Sequence, residues 1–251
     1  MSDFLTATGM DKSFGGFKAV GGVGLTIQAG ERRAVIGPNG AGKTTLFNLL
    51  TGLLRMDAGT VRLGNRDITG LPPHEIAGAG ISRAFQVTSI FGRLSVRRNV
   101  QVALLSASKM TMRPWGSAWS EKRSDADSIL EEVGLSHLAE VEAGALSHGD
   151  QRALELAIAL ALDPKLLILD EPTAGMAPEE TSKTMGLIRR IVTERNITLL
   201  FSEHDMEVVF GTAERITVMN QGSVLAEGSP DEVRRDARVQ EVYLGSPDAA
   251  S

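Results

Sequence analysis

Gly37-Pro38-Asn39-Gly40-Ala41-Gly42-Lys43-Thr44-Thr45 follows the apolar run Ala34-Val35-Ile36 and precedes a helix-forming run over residues 46–54. The pattern is G-x-x-x-x-G-K-T between a strand and a helix, the setting that a phosphate-binding P-loop requires. Glycines let the backbone wrap a phosphate chain with its N–H groups pointing inward. The following helix adds unsatisfied N-terminal donors and the positive end of its dipole. Lys43 is then placed to reach the β- and γ-phosphates, and the Thr44 hydroxyl to ligate Mg²⁺. A glycine-rich turn that happens to precede a helix is the plain alternative, and the flanking strand and helix make it rare. The nine residues from Gly37 to Thr45 thus imply binding of a nucleoside triphosphate.

Downstream, Leu166-Leu167-Ile168-Leu169 is an apolar run that ends in Asp170-Glu171. A strand this apolar is buried on both faces, as in a parallel sheet. Asp170 then emerges at the strand's carboxyl end, where α/β sheets bind ligands. From there it can help Thr44 hold Mg²⁺, and Glu171 can orient and deprotonate a water for attack on the γ-phosphate. Acids that merely cap a strand are the alternative, which a P-loop upstream disfavours. Leu146-Ser147-His148-Gly149-Asp150-Gln151 precedes an alanine- and leucine-rich helix expected over residues 151–162. Ser147 and Gly149 fall where a helix N-terminus offers free N–H donors, a second anion site or simply a capping turn.

Strands are expected at residues 4–10, 20–28, 32–36, 60–63 and 81–85, with residues 11–16 a turn. From residue 87 to about 162 the strand signal vanishes and helical spacing takes over, at 96–109 and 119–133. Strands resume at 166–169 and 197–201, and a hairpin is expected over 215–227. The expected architecture is α/β: a P-loop NTPase core with a mixed sheet, residues 1–86 and 163–251, plus an inserted helical subdomain, 87–162.

The chain has 251 residues, 42% of them hydrophobic, enough for one large α/β domain with an inserted piece. Its longest apolar runs fall well short of the roughly 18 residues a membrane span needs. Residues 1–8 show no signal-peptide pattern, and there is no cysteine for disulfides, thiolate catalysis or zinc-thiolate sites. These features point to the cytoplasm. A net charge of −5 argues against nucleic acid as a partner. The charge is uneven: residues 83–123 carry +7 and the remainder −12. A basic segment suggests an anionic partner or a membrane surface, with a solvated face as the alternative.

Taken together, these motifs resemble the ATP-binding subunits of ABC transporters over nearly the whole chain. Residues 37–44 look like the Walker A loop, 166–170 like the Walker B strand, and 146–151 like the LSGGQ-type signature. Gln86 resembles the Q-loop glutamine, which in the family touches Mg²⁺ and the attacking water. His204, after Leu199-Leu200-Phe201-Ser202-Glu203, resembles the switch histidine at the γ-phosphate. Phe14 falls where the family places an aromatic on adenine. The resemblance implies ATP and Mg²⁺ as ligands, with Thr44, Gln86 and Asp170 at the metal and Glu171, Gln86 and His204 in hydrolysis. It also implies head-to-tail pairing with a second ATPase subunit, identical or similar. Ser147, His148, Gly149, Asp150 and Gln151 would then close on the partner's ATP.

Gly175-Met176-Ala177-Pro178, the run from Glu203 to Val209 and Val224-Leu225-Ala226-Glu227-Gly228-Ser229-Pro230 are similar to the branched-chain amino acid uptake ATPases. So are Ser82-Arg83-Ala84-Phe85-Gln86 and the ending Val242-Tyr243-Leu244-Gly245. This implies a peripheral subunit at the cytoplasmic face of the membrane, docked through its basic stretch on two permease subunits, and served indirectly by an extracytoplasmic solute-binding protein. ATPases for urea or short amides share the pattern, and a soluble ABC-type ATPase in assembly or regulation is the other alternative. Two departures stand out. His148 and Asp150 replace the signature's usual glycine and glutamine, and Ala174-Gly175-Met176-Ala177 lacks the D-loop's usual serine and aspartate.

Overall fold

The computed structural model describes residues 3–84, 90–108 and 119–244. The chain opens with β1 (Asp3–Phe14), β2 (Phe17–Gln28), β3 (Arg32–Ile36), α1 (Lys43–Leu50), β4 (Ala58–Leu63), β5 (Arg66–Asp67), α2 (Pro73–Gly78) and β6 (Ile81–Ala84). Between β6 and the next strand the described residues hold α3 (Val96–Ala107), α4 (Arg123–Glu132) and α5 (His148–Leu160). Then come β7 (Leu166–Asp170), α6 (Pro178–Glu194), β8 (Thr198–Ser202), α7 (Met206–Thr212), β9 (Arg215–Asn220), β10 (Ser223–Gly228), α8 (Pro230–Arg235) and α9 (Ala237–Leu244).

β7 and β8 are buried at every residue, as strands covered on both faces must be. They lie in a six-stranded mixed sheet of order β10-β9-β3-β8-β7-β6, parallel except for the β9–β10 hairpin. Side chains alternate between its faces. Ala34, Ile36, Leu167, Leu169, Leu199 and Phe201 enter a core shared with α3, α4, α5 and α6. Val35, Leu166, Ile168 and Leu200 enter a second core with α1 and an antiparallel sheet of order β2-β1-β4-β5. Each such side chain, taken fully out of water, contributes about 1.5–3 kcal/mol. The register across the parallel strands sets Val35, Ser202 and Asp170 level with one another. The loops leaving β3, β7 and β8 therefore open at one edge.

Two local expectations need correcting. Residues 11–14 belong to β1 rather than to a turn, because the hairpin closes on Gly15-Gly16 alone, with Phe14 paired to Phe17. Both glycines have positive φ, 52° and 90°, as a two-residue hairpin turn demands. The tip is braced by Asp57, whose carboxylate accepts from Lys12 Nζ at 2.8 Å and from the Ser13 N–H at 2.7 Å. The second correction concerns α5, which begins at His148 rather than Gln151. The Ser147 hydroxyl caps it by accepting from the Asp150 N–H at 3.2 Å.

Candidate nucleotide site

The loop from β3 to α1 is shaped by its glycines. A Cβ on Gly37 would lie 2.2 Å from the Met219 carbonyl oxygen, and one on Gly42 would lie 2.4 Å from that of Ala19. Both have positive φ, so neither place admits a side chain. The backbone is thereby pressed against its surroundings and left free on the other side. Lys43 is buried under the loop, and its Nζ donates to the Gly37 and Pro38 carbonyls at 2.7 and 3.2 Å. Burial lowers its pKa, while the negative charges of Glu171 and Asp170 push it back up.

Asp170, buried at the end of β7, accepts from three donors. The Thr44 hydroxyl donates to Oδ2 at 3.2 Å, Arg83 Nη2 donates to the same oxygen at 2.7 Å, and the Ser202 hydroxyl donates to Oδ1 at 2.6 Å. Arg83 also reaches Asn48 and lies over the Phe47 ring. Burial lowers the Arg83 pKa, and the Asp170 charge opposes this. Thr44 and Asp170 thus put two hard oxygens side by side. Mg²⁺ in phosphoryl-transfer sites takes one or two protein oxygens plus substrate phosphates, so the donor set fits that ion.

Glu171 follows with φ of 51°, a left-handed conformation that a non-glycine residue adopts only under constraint. The constraint is Ser202, whose carbonyl and hydroxyl oxygens accept from the Glu171 N–H at 3.1 and 3.2 Å. Its Oε1 lies 2.8 Å from His204 Nε2. The sequence-derived Lys43, Thr44, Asp170, Glu171 and His204 therefore meet at the open edge of the sheet.

A cavity of about 300 Å³ lies in front of the loop, lined by Phe14, Phe17, Ala19, residues 39–45 and Glu171. Phe14 lines this cavity, 46% exposed, with the Lys12 ammonium over its ring at 5.6 Å. Phe17, 63% exposed, was not foreseen, nor were the roles of Arg83 and Ser202 as partners of Asp170. A legible sign of Phe17 was its place just past a Gly-Gly pair, opposite Phe14. No residue of 147–151 lines this cavity. Those five residues open α5, where Ser147 Oγ donates to Asp150 Oδ2 at 2.6 Å and Gln151 Nε2 donates to the Leu146 carbonyl at 3.3 Å. Gln86 lies outside the described residues.

Among its described residues, the basic stretch does not form one free surface. Arg83 is buried against Asp170, Arg97 pairs with Asp127 and Glu140, Lys122 pairs with Asp125, and Arg98 stacks on Trp119 at 4.4 Å. Among the described residues, no helix is long and apolar enough to cross a membrane.

Comparison with known proteins agrees with this geometry. The family described as ABC transporter matches residues 20–174, and the one described as branched-chain amino acid ATP-binding cassette transporter matches residues 223–249. The high-affinity branched-chain amino acid transport ATP-binding protein BraF of Pseudomonas aeruginosa is 39% identical over 248 residues, covering 96% of this chain and 97% of BraF. The ADP conformation of MJ1267, an ATP-binding cassette of an ABC transporter, is 33% identical with a TM-score of 0.85, covering 98% of this chain and all of that one. A dimeric post-hydrolysis state of the cassette MJ0796, bound to ADP and phosphate, is 26% identical with a TM-score of 0.77, covering 90% of this chain and 98% of that one. With its P-loop, acidic strand end and histidine gathered at one sheet edge, the chain belongs to the ABC transporter ATP-binding family.

Proposed function

We propose that this chain hydrolyses ATP to power uptake of branched-chain amino acids, as the peripheral ATPase subunit of an importer at the cytoplasmic face of the membrane. One observation carries the reading of the site: the Thr44–Asp170 and Glu171–His204 pairs stand together at the mouth of the P-loop. The likeness to BraF and the family match over residues 223–249 support the choice of solute class.

In this reading the loop N–H groups and Lys43 neutralise the phosphates, and Phe14 and Phe17 receive the base. The Glu171 carboxylate takes a proton from water as the water oxygen bonds to the γ-phosphorus and the bond to the β-phosphate oxygen breaks. ADP and phosphate leave, and the proton passes to solvent. His204 Nε2 keeps Glu171 aimed. Thr44 and Asp170 would hold Mg²⁺, with Gln86 as a further ligand by family resemblance; the ion supplies positive charge that offsets the phosphate oxygens. Arg83 and Ser202 hold Asp170 in place.

Residues 147–151 lie apart from the cavity of their own chain, which fits a role on the nucleotide of a second ATPase subunit, identical or similar. The dimeric MJ0796 state supports that pairing. Two permease subunits would receive the movement, and a solute-binding protein would feed them from outside.

Transport tests the whole reading. Cells whose own copy carries Lys43→Met are expected to lose uptake of radiolabelled leucine, isoleucine and valine while glucose uptake stays at the parental level. Undiminished uptake of all three amino acids would refute the assignment, and loss of urea or acetamide uptake instead would move the solute to that class.

A further inference from the structure

Glu171 and His204 meet at 2.8 Å, yet their side chains are 38% and 49% exposed. A contact that open to water is weak and does not by itself fix two loops. Ser202 holds the Glu171 N–H, and a second buried link ties the two loops further on. The residue before His204 is Glu203, only 4% exposed. Its Oε1 accepts from the Thr173 N–H at 2.8 Å and from the Thr173 hydroxyl at 2.6 Å, and its Oε2 accepts from the His204 N–H at 3.2 Å. Thr173 lies two residues after Glu171, in the loop that leaves β7. One buried carboxylate therefore joins the loop of Glu171 to the loop of His204.

None of the three donors carries a charge: two are backbone N–H groups and one is a hydroxyl. Burying a carboxylate among neutral donors costs desolvation that a well-packed apolar residue would avoid. Such a group adds little to stability and more to geometry. The two oxygens divide the work, one serving each loop. A neutral amide of the same shape cannot copy this, because it has a single acceptor oxygen. Whichever way that amide turns, either the Thr173 N–H or the His204 N–H faces an NH₂ group.

We infer that Glu203 is a positioning residue for hydrolysis, clamping Thr173 to His204 and so holding Glu171 and His204 in register. The inference rests on the ATPase reading above. It also bears on the loop that continues through Ala174-Gly175-Met176-Ala177. That loop holds neither serine nor aspartate, and its first turn is anchored here.

Glu203→Gln is expected to lower kcat about tenfold while KM and ATP affinity change by less than about twofold, the signature of a lost geometry rather than lost binding. The thermal midpoint should move by no more than a few degrees. Thr173→Val removes only the hydroxyl donor and should lower kcat by a smaller factor. The double variant should fall short of the product of the two single effects, because both act on one link. A parental kcat in Glu203→Gln overturns the inference, as does a rate loss that tracks a collapsed thermal midpoint, or a double variant equal to the product. Should Glu203→Gln fail to fold, Thr173→Val decides: reduced kcat at parental KM and thermal midpoint supports the clamp, and parental kcat overturns it. A parent chain that does not hydrolyse ATP would sink the proposed function itself. A hydrolysing parent matched by Glu203→Gln sinks this inference alone.

Discussion

Phe14 and Phe17 face one another across a two-glycine turn, and both rings stand at the mouth of the nucleotide cavity. Base–aromatic stacking reads no edge of the base and contributes about 1–3 kcal/mol per base. Phe14 is 46% and Phe17 63% exposed, so the lower end applies. Phe14→Ala and Phe17→Ala are each expected to raise the ATP dissociation constant about fivefold. Inorganic triphosphate, which has no base, should bind both variants as it binds the parent. Fluorescence titration with a labelled ATP analogue, competed by each ligand, checks this, and parental ATP affinity in Phe17→Ala would exclude the second ring. Phe14 was legible through family resemblance. Phe17 was hidden because residues 11–16 read as a turn, and only a strand running to Phe14 puts Phe17 opposite it. Arg83 was hidden for a different reason. Counted in sequence, it joined a basic stretch; folded, it is buried against Asp170.

The start of α5 carries the signature-like residues, and its chemistry differs from the wider family at Asp150. That carboxylate sits in the first turn and accepts the Ser147 hydroxyl, which any anion at this helix end would otherwise engage. Negative charge at a helix N-terminus steadies the helix and repels a phosphate. Asp150→Asn keeps the polar contact with Ser147 and removes the charge. At low salt it should lower the ATP concentration for half-maximal hydrolysis about two- to threefold, and the effect should shrink as salt screens it. Rate curves at two ionic strengths test this; identical curves at low salt would separate Asp150 from the nucleotide. The earlier start of α5 was legible in principle. Ser147 followed three residues later by an acid is a helix-start pattern, even with His148 and Gly149, poor helix formers, between them.

For the molecule as a whole, the order of the elements followed from apolar runs and turn residues. Runs such as Leu166-Leu167-Ile168-Leu169 are buried on both faces, and that alone requires a parallel sheet with cover on each side. Register was beyond such reasoning. That Asp170 and Ser202 stand level, and that Thr173 meets Glu203 across 30 residues of chain, follows from strand pairing and not from local pattern. The site is thus legible as a set of residue types, while the bonds that aim them appear only in the fold. In the proposed mechanism, ATP is cleaved at this edge with Glu171 as the base. The direct measurement is steady-state hydrolysis by Glu171→Gln beside the parent chain at saturating ATP, with ATP binding measured in parallel. A rate at least about 100-fold lower, with binding retained, is expected. Hydrolysis at the parental rate would contradict it.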